Sequence, residues 1–142
     1  MKDTGDLLSD LKNAKGLNAL DNYIKDLEGD NYELSFSSYL QQLIDASGLK
    51  NSDIIDRSNI ERSYFYQILN GRKNPGRNKI ISIALALGTD LEVTQRLLIL
   101  AGEGALYSKH PRDSILIYSI NNHMSPMDTG FLLADKGFEP LE

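Results

Sequence analysis

At 142 residues with 41% apolar side chains, the chain is long enough for one compact domain with additions and falls among ordinary globular proteins. It has no cysteine, which excludes a disulfide framework and a thiolate metal site. A net charge of −5 would weigh against nucleic acid if it were evenly spread, but it is sorted: residues 1–33 hold four Lys or Arg against eight Asp or Glu, residues 34–102 eight against six, and residues 103–142 three against six. The opening MKDTGDLLSDLKN is charged throughout and lacks the apolar run of a signal peptide. No segment is apolar for long enough to span a bilayer, so a cytoplasmic protein without a membrane partner is expected.

Residues 1–33 read as an acidic helical arm. Leu7, Leu8 and Leu11 make a short stripe, and after Gly16 the set Leu17, Leu20, Tyr23, Ile24 and Leu27 makes a better one. GDNYE, residues 29–33, is a connection. Two readings compete for the arm: a solvated face on helices that pack against the domain or another subunit, or a mimic of DNA charge that competes for basic residues downstream.

The first helix of the domain proper starts at Ser35 as N-cap, with Leu34 and Tyr39 placed for a hydrophobic staple. Phe36, Tyr39, Leu40, Leu43 and Ile44 form its buried stripe, and it stops at Gly48, which lets Leu49 fold back toward Ile44. Residues 49–79, LKNSDIIDRSNIERSYFYQILNGRKNPGRNK, then read as two short helices joined by a tight turn and followed by a basic loop. Ile54 and Ile55 share an inward face, Asn59 tolerates the left-handed turn, and Ile60 is the apolar plug. Lys50 lacks the acceptor of a capping residue, so Asn51 or Ser52 is expected to cap the first of these helices. The second starts near Arg62, with Phe65, Ile68 and Leu69 inward and Arg62, Ser63, Tyr66, Gln67 and Asn70 outward. Gly71 ends it as a left-handed cap, and Arg72, Lys73, Arg77 and Lys79 surround Pro75. From Arg62 to Lys79 there are five Lys or Arg and no Asp or Glu, an excess that points to phosphate.

This stretch resembles the helix-turn-helix of the phage repressor/Cro-like (XRE) family of DNA-binding regulators, over roughly residues 35–102. The resemblance implies a five-helix domain whose third helix, about residues 62–70, lies in the major groove of double-stranded DNA. It implies base reading by Arg62, Ser63, Tyr66, Gln67 and Asn51, and backbone contact by Asn70, Arg72, Lys73, Arg77 and Lys79. The chain departs from the family where Ile55 replaces a usual small Ala and where Glu61 brings a carboxylate to the recognition helix. That carboxylate suits the helix dipole and repels phosphate.

A fourth helix is expected over residues 78–87, nearly apolar and central to the core, ended by Gly88. A fifth runs over residues 91–101, capped by Asp90 or Thr89. Residues 77–106 then align without gaps on residues 112–141 at a constant offset of 35, with Arg77 on Arg112, Thr94 on Thr129, Leu98 on Leu133, Gly102 on Gly137 and Leu106 on Leu141. Such a period marks a repeated helical hairpin, so the tail is predicted to form helices at 112–122 and 126–136, stacked on the fourth and fifth. The tail either completes the core of a larger monomer or makes a dimer contact, since regulators of this kind bind paired half-sites.

Enzyme chemistry finds no foothold. There is no P-loop, HExxH, GxSxG or cysteine nucleophile. His110 and His123 have no partner at ligand spacing, Asp113 reads as a helix N-terminal charge, and AGEGA at 101–105 follows a helix and reads as its end. The reading is therefore an all-α protein without cofactor or metal: an acidic arm at 1–33, a helix-turn-helix domain at 34–102 and a helical hairpin at 103–142. Its expected role is sequence-specific DNA-binding regulation of transcription, as a homodimer where half-sites are paired. The alternative is a protein-interaction module, antitoxin-like or an adaptor, engaging a partner through the arm or the tail hairpin.

Overall fold

The computed structural model describes residues 35–142, and the arm expected at 1–33 lies outside them, as does Leu34 of the staple. All regular structure among the described residues is helical: α1 Phe36–Ser47, α2 Asn51–Ser58, α3 Arg62–Leu69, α4 Arg77–Leu87, α5 Leu91–Leu100, α6 Pro111–Asn121 and α7 Pro126–Asp135. None of these is long and apolar enough to cross a membrane. Phe36–Glu142 form one compact unit.

Local chemistry sets the helix ends. Ser47 Oγ donates to Ile44 O at 2.7 Å and accepts the Leu49 N–H at 3.0 Å, while Gly48 turns the chain at φ 75° and brings Leu49 onto the core. Lys50, rather than Asn51 or Ser52, occupies the N-cap of α2. Its ammonium cannot accept a bond, so the helix is held instead by Asp53, whose carboxylate reaches back to the Lys50 N–H at 3.0 Å. Asn59 closes α2 in the left-handed region at φ 57°. Asp90 caps α5 through the Val93 N–H at 2.9 Å, and Ser125 caps α7 through the Asp128 N–H at 3.0 Å. Pro111 and Pro126 stand at the first helical positions of α6 and α7, where a missing N–H costs nothing.

The core is built around α4, in which seven consecutive residues, Ile80 to Ala86, are buried. A helix buried all round needs neighbours on every side. Here α2, α5, α6 and α7 supply them, while α1 packs on α3 and α5. Each isoleucine held in this way contributes roughly 1.5–3 kcal/mol relative to exposure.

The offset of 35 survives in three dimensions. It carries the bounds of α5 onto those of α7 residue for residue. Thr94 and Thr129 are fully buried, and each hydroxyl donates 2.8 Å to the carbonyl four residues back, at Asp90 and Ser125. Gly102 and Gly137 end the two helices at φ 79° and 81°. Leu106 and Leu141 then return to the core.

The contacts between the two copies are reciprocal. Arg77 Nη2 donates to Asp113 Oδ2 at 2.8 Å, and Arg112 Nη2 donates to Asn78 Oδ1 at 3.1 Å. The first position of each copy thus touches the second position of the other, the signature of a two-fold, isologous arrangement. Each arginine also donates to the carbonyl before its own copy's returning leucine: Arg77 to Ala105 O at 3.3 Å, Arg112 to Pro140 O at 3.1 Å.

Candidate nucleic-acid interface

The outward face of α3 follows from its period. Phe65 and Ile68 are fully buried, which leaves Arg62, Ser63, Tyr66 and Asn70 exposed and Gln67 half-buried at the edge. Leu69 is half-buried and packs on the core. The Arg62 guanidinium lies 5.6 Å from the centre of the Tyr66 ring, one turn on, so each side chain steadies the other at the surface. Tyr66 also meets Phe65 edge-on with centroids 5.9 Å apart, which ties the exposed ring to the core.

Glu61 is the N-cap of α3. Its two carboxylate oxygens accept the Ser63 and Tyr64 N–H groups, both at 3.0 Å. Two of the donors that a phosphate would use at this helix end are therefore already taken. Most of the basic residues, Arg72, Lys73 and Lys79, stand beyond the other end of the helix.

There the chain leaves α3 through Gly71, at φ 81°. The Arg72 and Lys73 N–H groups fold back onto Gln67 O at 3.0 and 3.1 Å, and Asn70 Oδ1 also accepts the Arg72 N–H at 3.0 Å. Asn70 thus acts on the loop through its carbonyl oxygen, which leaves its amide nitrogen for an outside acceptor. Arg72 and Lys73 are exposed, Lys79 is half-buried on α4, and Pro75 is buried and anchors the loop between them. Gly76, the N-cap of α4, offers no side chain to the first-turn N–H groups. That uncapped, partly positive helix end adjoins the basic loop, a feature that charge counting along the sequence did not show.

Two residues stand differently from expectation. The sequence groups Arg77 with the backbone-contacting residues, but its guanidinium is turned to Asp113 and Ala105 O, because a buried carboxylate 36 positions away competes for it. Asn51 stands at the first position of α2, half-buried, and its amide makes no hydrogen bond within the described residues. Since it does not cap the helix, its donors and acceptor remain open to a ligand.

No protein-family model, no curated protein and no solved structure matches this chain.

Proposed function

We propose that the chain binds double-stranded DNA sequence-specifically, as a transcriptional regulator of the repressor/Cro-like (XRE) type. In this reading α1 to α5 are the five helices of the domain, α2 and α3 are its helix-turn-helix, and α3 enters the major groove. The observation that carries it is the exposed polar face of α3 set beside the basic loop, with no carboxylate between Arg62 and Lys79. Arg62 pairs with a guanine edge, and Ser63, Tyr66, Gln67 and Asn51 read neighbouring bases. Asn70, Arg72, Lys73 and Lys79 hold the phosphates. Arg77 is left out of that set because Asp113 engages it.

The test is fluorescence anisotropy with a labelled duplex from the region upstream of the chain's own gene against a scrambled duplex, at two salt concentrations. A preference that survives the higher salt supports the proposal. Arg62→Ala then costs about 1–3 kcal/mol and relaxes specificity at one base pair. Lys73→Ala weakens all sequences alike and lowers the salt slope by about one. An unchanged sequence preference in Arg62→Ala would show that α3 is not the reading element.

A second reading, docking of a protein partner, is favoured by Met127 and Phe131, which lie on α7 69% and 67% exposed. Absence of DNA binding even at low salt would move the assignment there.

A further inference from the structure

The repeat supplies its own control for a cavity between α2 and α7. In the first copy, Gln95 projects from α5 and clamps the returning strand of chain: its Nε2 donates to Leu106 O at 2.9 Å, and its Oε1 accepts the Leu106 N–H at 2.6 Å. One carboxamide edge thus satisfies both polar groups of a buried backbone residue. In the second copy the offset of 35 puts Gly130 in place of Gln95 and Leu141 in place of Leu106.

Leu141 is as buried as its counterpart, 4% exposed against 5%. Yet its backbone N–H and C=O make no hydrogen bond within the described residues. In the first copy a glutamine satisfies both groups; in the second none of the described residues does. At Gly130 an added Cβ would meet nothing within 4 Å. The room that a glutamine would fill is open.

That room is part of a cavity of about 480 Å³, lined by Ser82, Gly130, Phe131, Pro140 and Leu141 among others. The volume is that of a small-molecule site, and the walls are mostly apolar. Ser82 adds a polar side chain to the lining, although the residue is only 4% exposed. Its counterpart in the other copy is Ile117, so nothing in the repeat requires a hydroxyl there. Asp56 and Glu142 also line the cavity, with Arg57 offsetting part of their charge and the Glu142 carboxylate accepting from the Asn59 amide at 2.7 Å.

We propose that this cavity binds a small uncharged molecule carrying a primary carboxamide or lactam edge on an apolar body. The edge takes the place of the missing glutamine amide, donating its N–H to Leu141 O and accepting the Leu141 N–H. The body lies against Phe131 and Pro140. A carboxylate lacks the donor, and a tertiary amide lacks the N–H.

The test uses the full chain labelled with ¹⁵N, with benzamide, N,N-dimethylbenzamide and benzoate as probes and no DNA present, so that its outcome is independent of the DNA-binding proposal. Benzamide is expected to shift the Leu141 and Gly130 amide resonances saturably. The dimethyl compound and benzoate should bind about tenfold more weakly or not at all, as loss of one buried hydrogen bond dictates. Gly130→Gln restores the clamp within the chain: it should slow hydrogen exchange at the Leu141 N–H about tenfold and abolish the benzamide response. If that variant fails to fold, the comparison of the two amides on the unaltered chain decides alone. Absence of a saturable Leu141 shift with benzamide, or equal binding of N,N-dimethylbenzamide, overturns the proposal.

Discussion

Replacing Asp113 tests the join between the two hairpins, and the repeat calibrates the expected cost. Asp113 is 5% exposed and accepts two hydrogen bonds, from Arg77 Nη2 at 2.8 Å and from the Tyr107 N–H at 2.9 Å. Bonds to a charged acceptor contribute about 1.5–3 kcal/mol each. Asp113→Ala removes both, but the Arg77 side chain is 32% exposed, so water recovers part of its share. A net loss of about 2–4 kcal/mol follows. The reciprocal contact shows that a neutral acceptor suffices for an arginine here, since Arg112 donates to Asn78 Oδ1 at 3.1 Å. Asp113→Asn keeps one acceptor and should therefore cost only about 1 kcal/mol. The assay is urea unfolding followed by far-ultraviolet circular dichroism on the full chain, with a double-mutant cycle against Arg77→Met to isolate the pair. If Asp113→Ala lies within about 0.5 kcal/mol of the parent, or if the asparagine variant is as unstable as the alanine one, the argument fails.

Two further outcomes concern one buried and one half-buried polar group. Ser119 is fully buried and its hydroxyl has no partner, whereas its counterpart in the first hairpin is Ala84. Ser119→Ala should stabilise the chain by about 1 kcal/mol, read as a higher urea midpoint at unchanged slope. Burial raises the Tyr39 pKa above its ordinary 10.0, against a smaller lowering by Arg96 beside it. The folded chain then holds the phenol proton more tightly than the unfolded one, so this contribution is full below pH 10 and is lost as the pH rises through the folded value. Melts on either side of pH 10 should show a fall that Tyr39→Phe diminishes, and an equal fall in both proteins would exclude Tyr39 as its source.

What was legible in the sequence was what local chemistry decides. Gly48, Asn59, Gly71, Gly88 and Gly102 all mark left-handed ends, and the stripes of α1 and α3 lie where their spacing puts them. The outward residues of the candidate interface were legible for the same reason: once Phe65 and Ile68 face inward, Arg62, Ser63 and Tyr66 have no other direction to take. What stayed hidden depended on partners distant in sequence or on residues outside their usual roles. Glutamate is not a favoured cap, yet Glu61 serves as one, because its carboxylate meets two free N–H groups. Nothing local to Arg77 shows that Asp113 is its partner rather than phosphate.

The repeat sets the exposed apolar residues of the tail beside their counterparts in the first copy. In the first copy α5 packs against α1, and Arg96 lies beside Tyr39 of that helix. At the same position of the second copy stands Phe131, 67% exposed, and where the first copy has buried Ile83 the second has Tyr118, 56% exposed. Both copies keep the residues that hold a hairpin together: the buried threonine, the closing glycine and the returning leucine. They differ elsewhere, with large changes in exposure at Ile83 against Tyr118 and at the position of Phe131. Gln95 against Gly130 is the sharpest of these differences, because it exchanges a satisfied backbone for an open one at an otherwise matched site.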